Sequence, residues 1–202
     1  MKIVAASGTI ALGLGAACWV AQGPLPGDVA TTQALQALLG ARPTWALALT
    51  KSAVLPAVGV TLAAGMALGW WVRGKQGAVA AVFAYGLALM TDTILRAAIF
   101  VVRPAEPLVA VAAPSTSSGL PSTFGLVYGA IFGVSLLADA GASRAGWPVR
   151  LVATLALIIG GAARVVLGGH WTSQMIASVA LGLLFALLAL RATGRLARFR
   201  SV

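Results

Sequence analysis

The chain has 202 residues, 60% of them hydrophobic and only 9% charged, with a mean hydropathy of +0.97. A soluble domain usually carries about 25% charged residues, so this composition excludes a solvated globular surface and indicates one integral-membrane domain, 1–202. The net charge of +10 does not indicate nucleic acid, because the 14 Lys and Arg residues sit around the ends of apolar stretches and form no basic stripe interleaved with aromatics.

A helix needs about 20 apolar residues to cross a bilayer. Six stretches qualify, at roughly 3–22, 50–72, 78–102, 122–140, 150–168 and 172–191, so an all-α six-helix membrane bundle is expected, with its core at 50–191. Between the first two spans, residues 23–49 hold Pro24, Pro26 and Gly27-Asp28, then Val29–Leu39, which reads as a short interfacial helix in an outer loop. The boundary with the second span is blurred by Lys51. Arg103 to Leu120 is the longest outer loop of the C-terminal half, and its Pro-Ala-Glu-Pro and Ser-Thr-Ser-Ser-Gly pieces read as irregular, flexible backbone. Cys18 stands alone in an apolar run and can form no internal disulfide.

Orientation follows from the basic residues near the span ends. One side collects Lys2, Arg73, Lys75, Arg144, Arg150, Arg191, Arg195, Arg198 and Arg200, and the other Arg42, Lys51, Arg96, Arg103 and Arg164. The first set is larger and lies in short loops and tails, so both termini are expected in the cytoplasm. The first stretch also has the Lys-plus-apolar look of a signal peptide, but no small-x-small cleavage site follows it, and a first span makes the topology even. The tail at 192–202 reads as a basic cytoplasmic segment that sets topology and rests on anionic lipid.

Charge in or near a spanning segment is costly and marks a candidate functional site. Arg96 and Arg103 are seven residues apart, nearly on one helix face and separated by about 10 Å of rise. Pro104 ends that helix, and Asp92, one turn before Arg96, can pair with it structurally. Pro121 suits the first turn of a helix, so the backbone N–H groups of Ser122, Thr123 and Phe124 form either an ordinary capped start or an anion site. Gly125, Gly129 and Gly133 then repeat every four residues, a stripe for close helix packing. Arg164 precedes Gly168-Gly169, and the only histidine, His170, opens the sixth span with Gln174 one turn later, within reach of its ring. In the expected topology all three pieces face outward.

Arginine offers a planar, permanently charged fork that matches phosphate oxygens, and neutral imidazole is the available nucleophile. The four acids Asp28, Asp92, Glu106 and Asp139 are too scattered to suggest a metal cage, so no metal and no cofactor are expected.

These pieces resemble the type 2 phosphatidic acid phosphatase superfamily, which includes the vanadium haloperoxidases and integral-membrane lipid phosphatases. Its first motif, a basic residue followed by six residues and Arg-Pro, is similar to Arg96 through Arg103-Pro104. Its second, Pro-Ser-Gly-His, stands here as Pro121-Ser122-Thr123-Phe124. Its third, Ser-Arg, five residues, His, three residues, Asp, stands here as Ala163-Arg164, His170 and Gln174. The resemblance covers residues 50–190 and implies that Arg96, Arg103 and Arg164 bind phosphate, helped by Ser122 and Thr123, with His170 as nucleophile. It also implies a general acid where Phe124 stands and a charged orienting group where Gln174 stands. Phe124 cannot donate a proton, and Gln174 can only accept a hydrogen bond from the ring.

General acid catalysis contributes typically 10²–10⁴-fold, so a substrate whose leaving group needs no proton suits this site best. The expectation is a phosphatase or phosphotransferase acting on a phosphorylated membrane lipid, preferably polyprenyl diphosphate, in a bacterial inner membrane with the site facing the periplasm. A relative that binds or translocates a phosphorylated head group without turnover is the alternative, and a bundle with ordinary interfacial arginines a third.

Overall fold

Apolar, Ala- and Gly-rich segments broken by proline and glycine fold into helices joined by short irregular links. The computed structural model describes residues 2–112, 114–138 and 146–199, so Asp139, Arg144 and Arg200 lie outside it. Its helices are α1 (Lys2–Ala21), α2 (Asp28–Leu39), α3 (Thr44–Thr50), α4 (Val58–Ala98), α5 (Thr123–Leu137), α6 (Gly146–Val166) and α7 (Thr172–Phe199). Among the described residues there is no strand. Three helices, α4, α6 and α7, are long and apolar enough to cross a membrane, whereas α5 and the apolar part of α1 are shorter.

Two expected spans meet in α4, whose 41 residues include non-helical backbone at Arg73 and Gly74. Gly74 has a φ of 60°, and Gly69 and Gly77, eight residues apart, are in backbone contact. The chain therefore doubles back there, and α4 is a hairpin of two arms. The second span does not begin at residue 50. Thr44–Thr50 is a separate helix and Lys51–Ala53 a 3₁₀ turn, with Pro56 ahead of the first α4 residue. α4 also ends at Ala98 rather than 102, because Ile99 is extended and Val101 pairs with the 118–119 segment through its N–H to Ser118 Oγ (3.1 Å) and its carbonyl to Gly119 N (2.7 Å). α7 runs on to Phe199, past the expected end at 191.

Helix α5 is the central element, buried from Phe124 to Ser135. Its glycine stripe is a packing face. A Cβ on Gly125, Gly129 or Gly133 would press into Met175, Val179 or Leu183 of α7. Ala80, Ala81, Ala84 and Ala88 of the second α4 arm close on Leu126, Ala130 and Val134 from the other side. Small residues of this kind let helices approach closely where lipid gives no hydrophobic drive for association. Large apolar residues such as Leu12, Val60, Trp71 and Ile158 point outward, the pattern of a lipid-facing surface. The chain is a membrane protein.

Helix α2 fastens the 103–120 loop, which is held rather than free. Gln36 Nε2 donates to Ala110 O (2.8 Å) and Val166 O (2.9 Å), Gln33 Nε2 donates to Leu108 O (2.9 Å), and Ala112 N donates to Leu167 O (2.9 Å). The loop is thereby laid against the α6–α7 turn.

Candidate phosphate site

The end of α4, the start of α5 and the α6–α7 turn meet at one end of the bundle. His170 sits at their junction, 1% exposed. Its Nδ1 lies 2.8 Å from the carbonyl oxygen of Gly119 and its Nε2 lies 3.2 Å from Arg103 Nη1. The carbonyl can only accept and the guanidinium can only donate. The ring is therefore the neutral tautomer with the proton on Nδ1 and the lone pair on Nε2. Burial, then the charges of Arg164 and Arg103, hold His170 well below its ordinary pKa, which keeps it in that form.

Arg103 is clamped by the loop it opens. Its Nε donates to Ser117 O (2.8 Å), Nη2 to Ser117 Oγ (2.9 Å) and Ser118 O (3.0 Å), and Nη1 also to Gly169 O (2.7 Å). Burial and the neighbouring Arg164 and Arg96 push its pKa down to about 10, so it remains charged at neutral pH.

Arg164 lies against Gly169, where a Cβ would fall 3.1 Å from its guanidinium carbon. Its Nε is buried with no hydrogen-bond partner among the described residues. Arg96 is more fully used. Its Nε bonds both carboxylate oxygens of Asp92 at 3.1 Å, and its Nη2 donates to Pro121 O (2.8 Å) and Thr123 Oγ1 (2.7 Å). The structural pairing with Asp92 is thus present, and Arg96 reaches the helix start as well.

The second motif is less open than its sequence suggested. Ser122 is the N-cap of α5, its hydroxyl 3.4 Å from Gly125 N, and its own N–H donates to Ser178 Oγ (2.8 Å). Thr123 Oγ1 also donates to Asp92 (3.1 Å). Phe124 turns inward. Its ring stacks on Tyr128 at 4.0 Å, and a Cβ on Gly160 would meet it at 2.6 Å.

The expected Gln174–His170 hydrogen bond is corrected. Gln174 is fully buried, its Nε2 donates to Val102 O (2.8 Å) and its Oε1 accepts from Trp171 N (3.2 Å). It therefore pins the 102–103 segment to the start of α7, and Gly119 takes over orientation of the ring. A Cβ on Gly119 would fall 2.8 Å from the Gln174 amide, so Gly119 is needed for that approach.

Asp28 went unnoticed as a site residue. From the start of α2 it caps α7, its Oδ1 accepting from Ser173 N (2.8 Å) and its Oδ2 from Ser173 Oγ (2.6 Å). The signal was an acid in an apolar context, but its partner lies 145 residues away.

Arg103 also walls a cavity of about 570 Å³ that opens outward, lined by Arg42, Pro104, Glu106, Ser115 and Ser117.

No family model matches the chain, and no curated protein does. A solved structure does match: the crystal structure of the first transmembrane PAP2-type phosphatidylglycerolphosphate phosphatase from Bacillus subtilis, with a TM-score of 0.70 at 20% identity, over 96% of this chain and 98% of that one. Together with the three motif positions, this shows that the chain has the fold of the membrane branch of the type 2 phosphatidic acid phosphatase superfamily.

Proposed function

We propose that the chain is a metal-independent lipid phosphatase or phosphotransferase that works through a phosphohistidine at His170, with polyprenyl diphosphate as its preferred substrate class. The observation that carries this reading is the unprotonated His170 Nε2 beside Arg103, with Nδ1 held by Gly119. As a phosphoryl group enters, Arg103 Nη1 exchanges its hydrogen bond to Nε2 for one to a phosphate oxygen, the freed lone pair on Nε2 attacks phosphorus, and the bond from phosphorus to the leaving oxygen breaks with its electron pair on that oxygen. The oxygen of water or of a lipid-linked acceptor then attacks phosphorus and loses its proton to solvent, and the P–N bond breaks with its electron pair returning to Nε2, which frees the neutral imidazole. Arg103, Arg164 and Arg96 would share the charge of the transferring group. The unpartnered Nε of Arg164 supports its part, and the fold neighbour's phosphorylated lipid substrate supports the class.

Nothing at position 124 can protonate a leaving alkoxide. A diphosphate leaves as a phosphate ester, which needs no such help. Phosphate release from polyprenyl diphosphate and phosphatidate, with His170→Ala as control, tests the reading. Release from neither, with the variant indistinguishable from the parent, would defeat it.

The membrane placement belongs to the same proposal. The two arms of α4 with α1, α5, α6 and α7 make six crossings, with both termini in the cytoplasm and the site at the outer face of a bacterial inner membrane. Two features support it. Arg73 lies beside Gly194, and Arg150 donates to Ala138 O (3.0 Å), which gathers basic residues at the end away from His170. Exposed Trp70, Trp71 and Trp147 lie near that end, and exposed Trp19 and Trp45 near the other, as interfacial belts do.

A second reading is a relative that binds a phosphorylated head group without turnover. The inward turn of Phe124 and the commitment of Gln174 to Val102 favour it. Head-group binding that survives His170→Ala but vanishes in Arg103→Ala, with no turnover by the parent, would select it.

A further inference from the structure

The cavity outside Arg103 carries a second guanidinium from a different part of the chain. Arg42 comes from the link between α2 and α3, and its Nη2 lies 3.5 Å from Val111 O. The segment that holds it, 110–112, rests on the catalytic turn: Ala112 N donates to Leu167 O (2.9 Å), and Gly168, with a φ of 62°, lies against Ala110 O. Arg42 is therefore one peptide segment away from the turn that carries Gly169 and His170. It faces the same cavity as Arg103, and the Nη1 of Arg103 lies 3.2 Å from Nε2 of His170 behind the cavity wall.

The charges in this cavity do not cancel. Among the described residues that line it are two guanidiniums, the single carboxylate of Glu106 and the hydroxyls of Ser115 and Ser117. A volume of about 570 Å³ is that of a small-ligand site, larger than one phosphoryl group needs. Arg42 makes one long bond to a carbonyl, so most of its five donors remain for an anion.

Resting on the phosphatase reading above, we propose that Arg42 binds a second phosphate of the same substrate, so that the chain selects lipids bearing two phosphate groups over those bearing one. The reacting phosphoryl group would lie among His170, Arg103 and Arg164, and the other phosphate would lie outward in the cavity against Arg42. Two chemistries present such a pair: a diphosphate, and two phosphates separated by a short polyol. Both share the second anion, and Arg42 is the residue that reads it.

The test compares the purified full-length parent with Arg42→Ala and Arg42→Lys on phosphatidate, a polyprenyl diphosphate and a lipid with two phosphates separated by glycerol. The expected result is a fall of about tenfold in the two-phosphate to one-phosphate ratio of kcat/KM for Arg42→Ala, carried by KM, with partial recovery in Arg42→Lys. The two-phosphate lipid that shows the drop identifies which spacing the cavity accepts. An unchanged ratio for both would overturn the proposal. If the parent turns over none of the three, the phosphatase reading fails on its own, and binding decides the role of Arg42. Tighter binding of inorganic diphosphate or glycerol bisphosphate than of inorganic phosphate, lost in Arg42→Ala, would support it, and equal binding of all three would overturn it.

Discussion

Arg103 and His170, 67 residues apart, meet with 3.2 Å between Nη1 and Nε2, and the same Arg103 nitrogen also holds Gly169 O at 2.7 Å. One planar fork thereby fixes both the imidazole and the backbone that carries it. A lysine carries its three donors on one rotatable nitrogen and lacks the rigid planar fork. Arg103→Lys is expected to lose at least ~100-fold in kcat/KM for phosphate release, nearly as much as Arg103→Ala, while circular dichroism shows unchanged helix content. Full activity in Arg103→Lys would show that only the charge matters.

Acid should act on stability through His170. Burial first, then Arg164 and Arg103, lower its pKa far below the ordinary 6.5, so the folded chain stays neutral where the unfolded chain takes up a proton. Below pH ~6.5 the unfolded state binds more protons, so its contribution to stability is complete above that pH and is lost as pH falls, with a limiting slope of about 1.4 kcal/mol per unit. Thermal midpoints in detergent between pH 7.5 and 5 should decline, and His170→Gln should flatten the decline. The acid limb of kcat/KM should likewise lie below pH 6.5.

Gly168 is expected to be irreplaceable. Its φ of 62° is unfavourable for other residues, and a Cβ would collide with Ala110 O. Gly168→Ala should cost at least ~2 kcal/mol, lowering the midpoint by at least ~4 °C. Gly161→Ala, whose Cβ would meet only Met175 at 4.0 Å, should leave it within a degree or two.

Phe124 sets a contrast between leaving groups. With no acid at this position, the parent should cleave polyprenyl diphosphate at least ~10-fold faster than phosphatidate, whose leaving oxygen needs a proton. Phe124→His should raise phosphatidate hydrolysis and leave diphosphate cleavage nearly unchanged. Equal gains on both would remove the leaving-group argument.

Much of this site was legible because its signals are local. Gly168-Gly169 announced a break before His170, and the Gly125–Gly129–Gly133 stripe a packing face, each within one or two turns of chain, whereas the helix end expected at Arg103-Pro104 falls at Ala98, so Arg103 leaves the helix face it was expected to share with Arg96. The Asp92–Arg96 pair was legible for the same reason, being spaced one helical turn apart. Long-range partners were not legible. Nothing near Gln174 in sequence reveals that its amide is committed to Val102, or that Gly119 instead holds the imidazole. Asp28 capping α7, Gln36 fastening the 110 segment and Arg42 entering the outer cavity all depend on how α2 lies against α6 and α7. The reversal at Arg73 and Gly74 falls in the gap between the stretches 50–72 and 78–102, so the two arms of α4 were legible as separate apolar runs.

The most direct measurement is covalent trapping. Purified protein would be mixed with polyprenyl diphosphate carrying ³²P on its terminal phosphate, quenched in alkali within milliseconds to seconds, and examined for label on the chain. The expected result is an alkali-stable, acid-labile phosphoryl group located at His170, absent from His170→Ala and strongly reduced in Arg103→Ala. Phosphate release without any label on His170, or equal release by His170→Ala, would contradict an imidazole nucleophile at this site.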